Sequence, residues 1–393
     1  MKVLIIIPSL LPGGAQRVAS LISAGLSKNH EIYFALAEKK IVYPYSGELI
    51  DLRIKNLDSR GLASRFFCTA AFALKLKRLK KTVVPDIALS FLDISNIPNV
   101  LSGSKTILSV REFKMASGDN SAQRRVAVRL MKLLYNRSSK VVVNSRAMGI
   151  SMENHYGIKK ERIKVIYNPL DIEGIAGSCG ARLDDELAGV FAHPVVLTAG
   201  RLTQAKGHWH LIRSFAEIKK SVPDAKLVIL GDGELRGYLQ ELSVGLGIRD
   251  DVLFAGFRKN PFKFISRATV FAFTSLWEGF PNALLEAMAC GAPVISADCR
   301  SGPREILAPD TDFFSQTESP EYAKHGVLMP VFDGEIKDAS APLTNKEKVW
   351  ADVMVAMLKN SALRADYGAK AKVRASDFNM ACIIPQWEKL ILV

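Results

Sequence analysis

The sequence predicts an α/β protein built from two doubly wound, parallel-sheet domains. Three observations predict it. The chain has 393 residues, more than one ordinary hydrophobic core can serve. Short apolar runs that end in polar residues alternate with helical stretches, the rhythm of parallel strands joined by crossover helices. That rhythm stops near residue 168 and restarts near residue 195.

In order along the chain, residues 3–7 form an unbroken apolar run that reads as a buried first strand. A Gly-Gly loop and a helix from about residue 15 to 26 follow. Residues 31–36, 86–90, 106–110 and 140–144 read as further strands, and residues 124–135 as a helix. In such sheets ligands bind beyond the carboxyl ends of the strands. Those ends carry Ser9, Asp93, Arg111 and Ser145. Asn168-Pro169 opens a connecting stretch of Gly, Ser and short charged groups that reaches about residue 192. A second sheet follows from residues 195–198, 226–230, 252–255, 270–274 and 294–296. Residues 310–341 read as a polar surface insertion with a short strand at 327–331, and residues 345–359 and 380–392 as helices. The expected division is 1–170, 171–379 and a terminal helix at 380–393. The sequence contains no internal repeat and no low-complexity segment.

Hydrophobic content of 48% with 23% charged residues is that of a folded globular protein. No apolar run approaches the roughly 18 residues of a transmembrane helix. The run at 3–7 is too short for the core of a signal peptide. The five cysteines are scattered and form no C-x-x-C pair, which fits free thiols in a reducing cytoplasm. His208-Trp209-His210 has no third ligand nearby and reads as a surface or packing element rather than a metal site.

The net charge of +14 is unevenly placed. Residues 1–170 hold 28 Lys and Arg against 11 Asp and Glu, and the remainder holds 25 against 28. Two segments explain the basic half. Residues 64–81 set Phe66, Phe67, Phe72 and Leu74 beside Lys75, Lys77, Arg78, Lys80 and Lys81. Arg124, Arg125, Arg129, Lys132 and Arg137 alternate with Val126, Leu130, Leu133 and Leu134. Basic amphipathic stretches suit an anionic membrane surface. The competing reading is a helix docked on the sheet with a solvated basic face. Nucleic acid is not expected, because no recognition motif accompanies the charge.

Chemistry concentrates in the second half. Glu278 and Glu286 stand eight positions apart. Between them Gly279-Phe280-Pro281-Asn282 cannot be interior helix, because Pro281 lacks an N–H and Gly279 is flexible. Residues 282–290 then read as helix. One carboxylate thus precedes a helix and the other lies within it, with backbone N–H groups between them. Such an end favours an anion, and two carboxylates suit sugar hydroxyls. Arg201 and Lys206, five residues apart after a strand, can grip a diphosphate from two sides. Read alone they are equally a solvated basic loop. The Gly-Lys-Ser/Thr order of a Walker A loop is absent.

These stretches occur in an order that resembles the retaining glycosyltransferases of family four, which have the GT-B fold and an E-x7-E motif. Ala199-Gly200-Arg201-Leu202 with Lys206-Gly207, Ile229-Leu230-Gly231-Asp232-Gly233, Ala255-Gly256-Phe257, the Glu278–Glu286 stretch and Cys290-Gly291-Ala292-Pro293 carry the resemblance, together with Pro8-Ser9-Leu10 and Gly13-Gly14. It implies two Rossmann-like domains facing each other across a cleft, with the last helix crossing back onto the first. It implies that Arg201 and Lys206 stabilise the leaving diphosphate and that Glu278 lies near the transferred sugar. Glu286 would hold the ribose. Phe280, Pro281, Asn282, Ala283 and Leu284 would line sugar and phosphate, Gly13 and Gly14 would lie against the donor, and Gly256-Phe257-Arg258 would be the donor-binding loop whose backbone holds the base.

Many family members have a His where this chain has Arg111-Glu112. With Asp93 and Asn96 these residues are the candidate acceptor contacts. The implied activity is retaining transfer of a hexose or N-acetylhexosamine from a nucleotide-sugar, a UDP-sugar above all, to a lipid-linked or membrane-associated glycan. It would take place on the cytoplasmic face of an anionic inner membrane, without a cofactor or bound metal. The competing functions are a sugar-nucleotide epimerase or hydrolase of the same fold and a non-catalytic sugar-nucleotide-binding protein.

Overall fold

The computed structural model describes residues 1–54, 62–111, 122–183 and 185–392. The chain forms two compact units, Met1–Pro169 with Phe378–Val393, and Leu170–Asp377. In the first, β1 (Lys2–Ile7), α1 (Gly14–Leu26), β2 (Glu31–Leu36), β3 (Glu48–Asp51), α2 (Leu62–Val83), β4 (Ile87–Phe91), α3 (Asp93–Leu101), β5 (Thr106–Val110), α4 (Ala122–Tyr135), β6 (Lys140–Val143), α5 (Arg146–Asn154) and β7 (Ile163–Val165) follow in order. In the second, α6 (Ile172–Cys179), α7 (Asp185–Ala188), β8 (Val195–Ala199), α8 (His208–Ser221), β9 (Lys226–Leu230), α9 (Arg236–Gly245), β10 (Val252–Gly256), α10 (Phe262–Ile265), β11 (Val270–Phe273) and α11 (Asn282–Ala289) are followed by β12 (Val294–Ala297), α12 (Pro303–Leu307), β13 (Glu321–Ala323), β14 (Gly326–Met329), α13 (Asn345–Lys359) and α14 (Ser361–Ser376). The last helix, α15 (Met380–Leu392), belongs to the first unit.

The first sheet has the order β3-β2-β1-β4-β5-β6-β7 and is parallel throughout. Its apolar runs are continuous because both faces are covered. Val3, Ile5 and Ile7 pack with Val18 and Ile22 of α1 and with Ile384 and Trp387 of α15. Leu4 and Ile6 point the other way, onto Phe72 and Leu76 of α2. Two-residue alternation hidden in an unbroken run thus feeds two cores.

The second sheet has the order β10-β9-β8-β11-β12-β14-β13, parallel except for β13. Here two expectations are corrected. Residues 310–341 are not merely a surface insertion: β14 is wholly buried and pairs in parallel with β12. The stretch 171–192 is not only a connection either. It contains α6, whose Ile175 is buried and which packs on α10 and α11.

A third correction concerns α2. Its inward face is Phe72, Leu76, Lys80 and Val83, whereas Phe66, Phe67 and Leu74 are exposed. Lys80, expected at the basic surface, is buried and donates to Asn99 O (2.9 Å), Asn99 Oδ1 (2.8 Å) and Gly103 O (2.6 Å). Burial lowers its pKa to about 7.

His210, also read at sequence level as a surface or packing residue, turns out to be packed. It lies parallel to Phe332, with ring centroids 4.3 Å apart, and hydrogen-bonds Glu347 through Nδ1 at 2.8 Å. Arg213 donates to Glu347 at 2.9 Å and to the carbonyls of Asp338, Ala341 and Pro342. Thr344 and Glu347 complete a capping box at the start of α13. Burial pushes the Glu347 carboxyl up, but the bonds from His210 and Arg213 outweigh it and hold its pKa at about 2. A depressed carboxyl contributes stability that is fully present above its unfolded value and is lost as pH falls through the folded one. Glu347→Gln is expected to cost about 3–5 kcal/mol, because it leaves a buried guanidinium without its charge partner. Urea unfolding at pH 7 measures this, and the stability difference from wild type should shrink as the pH is lowered from about 4.5 to 2.

Candidate donor site

The carboxyl end of the second sheet is knitted main chain to main chain. Gly200 N–H donates to Leu230 O, Leu202 N–H to Asp232 O, Leu235 N–H to Leu202 O, and Gly231 N–H to Gly256 O. The loops after β8, β9 and β10 therefore share one scaffold. Gly231 is required for the approach: its φ is 133°, and a Cβ there would stand 1.9 Å from Gly200 O.

The loop after β8 is also tied to the loop after β11. Leu276 N–H donates to Ala205 O at 2.8 Å and Thr274 Oγ1 to Lys206 O at 2.9 Å. Gly207 turns in the left-handed region against Thr274 O and lets α8 start directly behind Lys206. These ties bring Lys206 to Glu278, and the two form an ion pair through Lys206 Nζ and Glu278 Oε1. The lysine side chain is 22% exposed and the glutamate 12%. Lys206 Nζ also lies over the Phe273 ring, 5.4 Å from its centroid. Behind it His208 is buried, and burial, aided by the Lys206 charge, lowers its pKa to about 3. Burial raises the Cys299 thiol, and Glu278 adds to that shift.

Arg201 is on the same loop as Lys206 and is exposed. Pro281 caps α11, and Glu286 follows in its second turn, 8% exposed. Phe280 and Leu284 are buried, while Asn282 and Ala283 keep some exposure. Two of the N–H groups read as available are used by the turn itself: Asn282 donates to Phe280 O and Leu284 to Pro281 O. Ser301 Oγ braces the turn by donating to Gly279 O at 2.6 Å. Arg258 is folded back, with Nε donating to Ala255 O at 2.9 Å and its guanidinium over Phe264. Thr274, Ser301 and Phe273 were not legible as site residues. Nothing in their own sequence context marks them, because their part is to hold the loops.

The first unit carries the remaining candidates. Gly13 precedes α1 and Gly14 opens it. Asp93, Asn96 and Arg111 belong to one internal polar network. Tyr135 Oη donates to Asp93 Oδ1 at 2.6 Å, Asn96 accepts from Ser90 Oγ at 2.8 Å, and Asn96 donates to Ser109 O at 3.2 Å. Arg111 donates to Ser109 Oγ at 2.6 Å and to Asn168 Oδ1, and its guanidinium lies 5.5 Å from both the Phe91 and Trp387 ring centroids. Burial brings its pKa down to about 9. Asn96 has no exposed surface and Arg111 only 6%, so their groups serve the end of the sheet. Asp93 stays half-exposed, and Glu112 lies outside the described residues.

Comparison with known proteins follows the same division. Residues 12–173 match the family described as Glycosyltransferase Family 4, and residues 191–328 match Glycosyl transferases group 1. An uncharacterized glycosyltransferase of Methanocaldococcus jannaschii is 34% identical over 332 residues, 81% of this chain and 82% of that one. This chain belongs to glycosyltransferase family four. A second relative of this glycosyltransferase, from Campylobacter jejuni, is 30% identical over 401 residues and spans 100% of this chain and 99% of its own. It is named N-acetylgalactosamine-N,N'-diacetylbacillosaminyl-diphospho-undecaprenol 4-alpha-N-acetylgalactosaminyltransferase. The crystal structure of Anabaena HepE in complex with UDP and glucose matches with a TM-score of 0.73 at 21% identity, over 100% of this chain and 99% of that one. The glycosyltransferase thus has the GT-B fold.

The knitted scaffold makes a direct expectation. Gly231→Ala should strain the backbone by about 1–3 kcal/mol and push the β8 and β9 loops apart. A fall in melting temperature checks it.

Proposed function

We propose that this glycosyltransferase moves a sugar from a UDP-sugar to a lipid-linked or membrane-borne glycan, with retention at the anomeric carbon, in polysaccharide or glycolipid assembly. The observation that carries the reading is the gathering of Arg201, Lys206 and Glu278 on loops tied together beyond the carboxyl ends of one sheet. In the transfer an acceptor oxygen bonds to the anomeric carbon as the bond from that carbon to the diphosphate breaks. The electron pair leaves on the diphosphate, and the acceptor proton goes to a phosphate oxygen. Arg201 and Lys206 stabilise the charge that develops there, so the reading calls on no metal. Glu278 faces the transferred sugar and Glu286 the ribose. The 280–284 turn approaches sugar and phosphates, and the Gly256-Phe257-Arg258 loop approaches the base. Retention follows from substitution on the face the leaving group quits, within an ion-pair-like transition state and without an enzymic nucleophile.

The Campylobacter relative's name, with its undecaprenol-linked substrate, supports a lipid-linked acceptor and an N-acetylhexosamine donor. The surface of α2 supports a membrane-facing first unit. Phe66 and Phe67 are each 70% exposed, and they share the outer face with Leu74, Lys77, Arg78 and Lys81. On α4, Arg129, Leu130, Lys132 and Leu133 are exposed, while the side chains of Arg124, Arg125 and Val126 lie outside the described residues. Among the described residues no helix is long and apolar enough to cross a membrane. On this reading the enzyme works peripherally, on the cytoplasmic face of the membrane.

Release of UDP from UDP-sugars with and without an undecaprenyl-diphosphate-linked acceptor tests the reading. Acceptor-dependent release is expected. Equal release without acceptor would mean a hydrolase, and binding without turnover a sugar-nucleotide sensor. Arg201→Ala and Lys206→Ala should each lower kcat about a hundredfold or more, and more than they raise the donor KM. Near-normal turnover would place the diphosphate elsewhere. Glu286→Ala should weaken UDP binding by about 1–3 kcal/mol in calorimetry, the scale for hydrogen bonds to a charged group. The protein should sediment with anionic vesicles and not neutral ones, because each basic side chain near the surface contributes about 1 kcal/mol. Replacing Lys77, Arg78 and Lys81 with Gln should abolish that sedimentation without altering UDP binding.

A further inference from the structure

The lysine read as a diphosphate ligand already has a carboxylate partner in the protein. Lys206 Nζ is paired with Glu278 Oε1, and both side chains are mostly withdrawn from water. Neither could stand alone there cheaply, since an isolated, partly buried charge loses hydration that only a partner restores. Phe273 lies under the ammonium and adds attraction without neutralising it. The loops cannot easily part to separate the pair, because Thr274 and Leu276 fasten them on either side. Arg201, by contrast, is exposed on the same loop.

We infer that Glu278 is a placeholder for the donor's diphosphate, which must take Lys206 from it, and that the freed carboxylate is satisfied only when a sugar is attached. This rests on the donor-site reading above and adds an exchange of partners to it. The incoming diphosphate is the stronger anion and captures Lys206. Glu278 then loses its cation while still shielded from water. Hydroxyl groups of the attached sugar can donate to it and restore what was lost, whereas UDP alone leaves it unpaired. The site therefore holds the intact donor more tightly than the product UDP, and re-formation of the Lys206–Glu278 pair helps UDP to leave after transfer. Glu278 acts here on specificity and product release, in addition to facing the sugar.

The experiment is calorimetric titration of UDP into wild type, Glu278→Gln, Lys206→Met and the double variant, each first shown to melt normally. Glu278→Gln is expected to bind UDP about three- to tenfold tighter than wild type, the scale of a partly exposed ion pair that no longer has to be broken. In the Lys206→Met background the same substitution should leave UDP affinity unchanged, because no pair remains to break. The margin by which wild type prefers the UDP-sugar it turns over to UDP should shrink in Glu278→Gln. Equal or weaker UDP binding by Glu278→Gln overturns the inference. So does tightening of the same size with and without Lys206, since that is simple removal of a negative charge near a phosphate. If wild type and Glu278→Gln both fail to bind UDP at millimolar concentration, the donor-site reading falls and this inference with it. UDP binding without the expected tightening leaves the donor-site reading standing.

Discussion

Everything at the second sheet's carboxyl end depends on how closely main chains meet there. The Lys206 loop touches the β11 loop through Thr274 and Leu276, and Gly207 turns against the Thr274 carbonyl because it has no Cβ. On the other side Gly231 lies against the Gly200 carbonyl. Side chains alone would not hold Lys206 at Glu278 with such economy. Long, flexible side chains lose rotamer freedom when fixed, whereas backbone hydrogen bonds between short loops fix the stems first. The ion pair is then the last piece of an arrangement whose geometry is set by glycines and carbonyls.

That division explains what was legible in the sequence. The inner strands of both sheets were readable because both faces are buried, which forces unbroken apolar runs such as residues 3–7 and 227–230. The charged candidates Arg201, Lys206, Glu278 and Glu286 stood out because they sit at fixed distances from strand ends and a Gly-Phe-Pro-Asn turn. The short edge strands β3 and β7 were missed, since Glu48–Asp51 and Ile163–Val165 each mix polar and apolar residues at an edge that is only half covered. Thr274 and Ser301 were missed because a hydroxyl that braces a neighbouring loop looks, in one sequence, like any other. The burial of some polar residues was not legible for a related reason. Asn96 and Arg111 follow strand ends, where ligands gather, yet their partners Tyr135, Asn168 and Trp387 are far away in the chain.

The basic first half likewise presents less charge to its surroundings than its composition implies. Lys80 is inside, held by three oxygen atoms. Lys75 is half-buried and donates to the carbonyls of Leu52 and Arg53. Among the described side chains of α2, Phe66, Phe67 and Leu74 face outward, as do Lys77, Arg78 and Lys81.

The helix α15 closes the core of the first unit, where Ile383, Ile384, Trp387 and Ile391 pack among residues of β1, α1 and β4. Ile384 fits against Gly25 so closely that a Cβ there would come within 2.5 Å. These side chains leave the ribosome after all of the second unit has been made. Domains generally fold as they emerge, so the unit synthesised first is here the one completed last. Until residues beyond 377 are released, the face of the first sheet that α15 will cover stays open to water, and the nascent first unit waits for its seal.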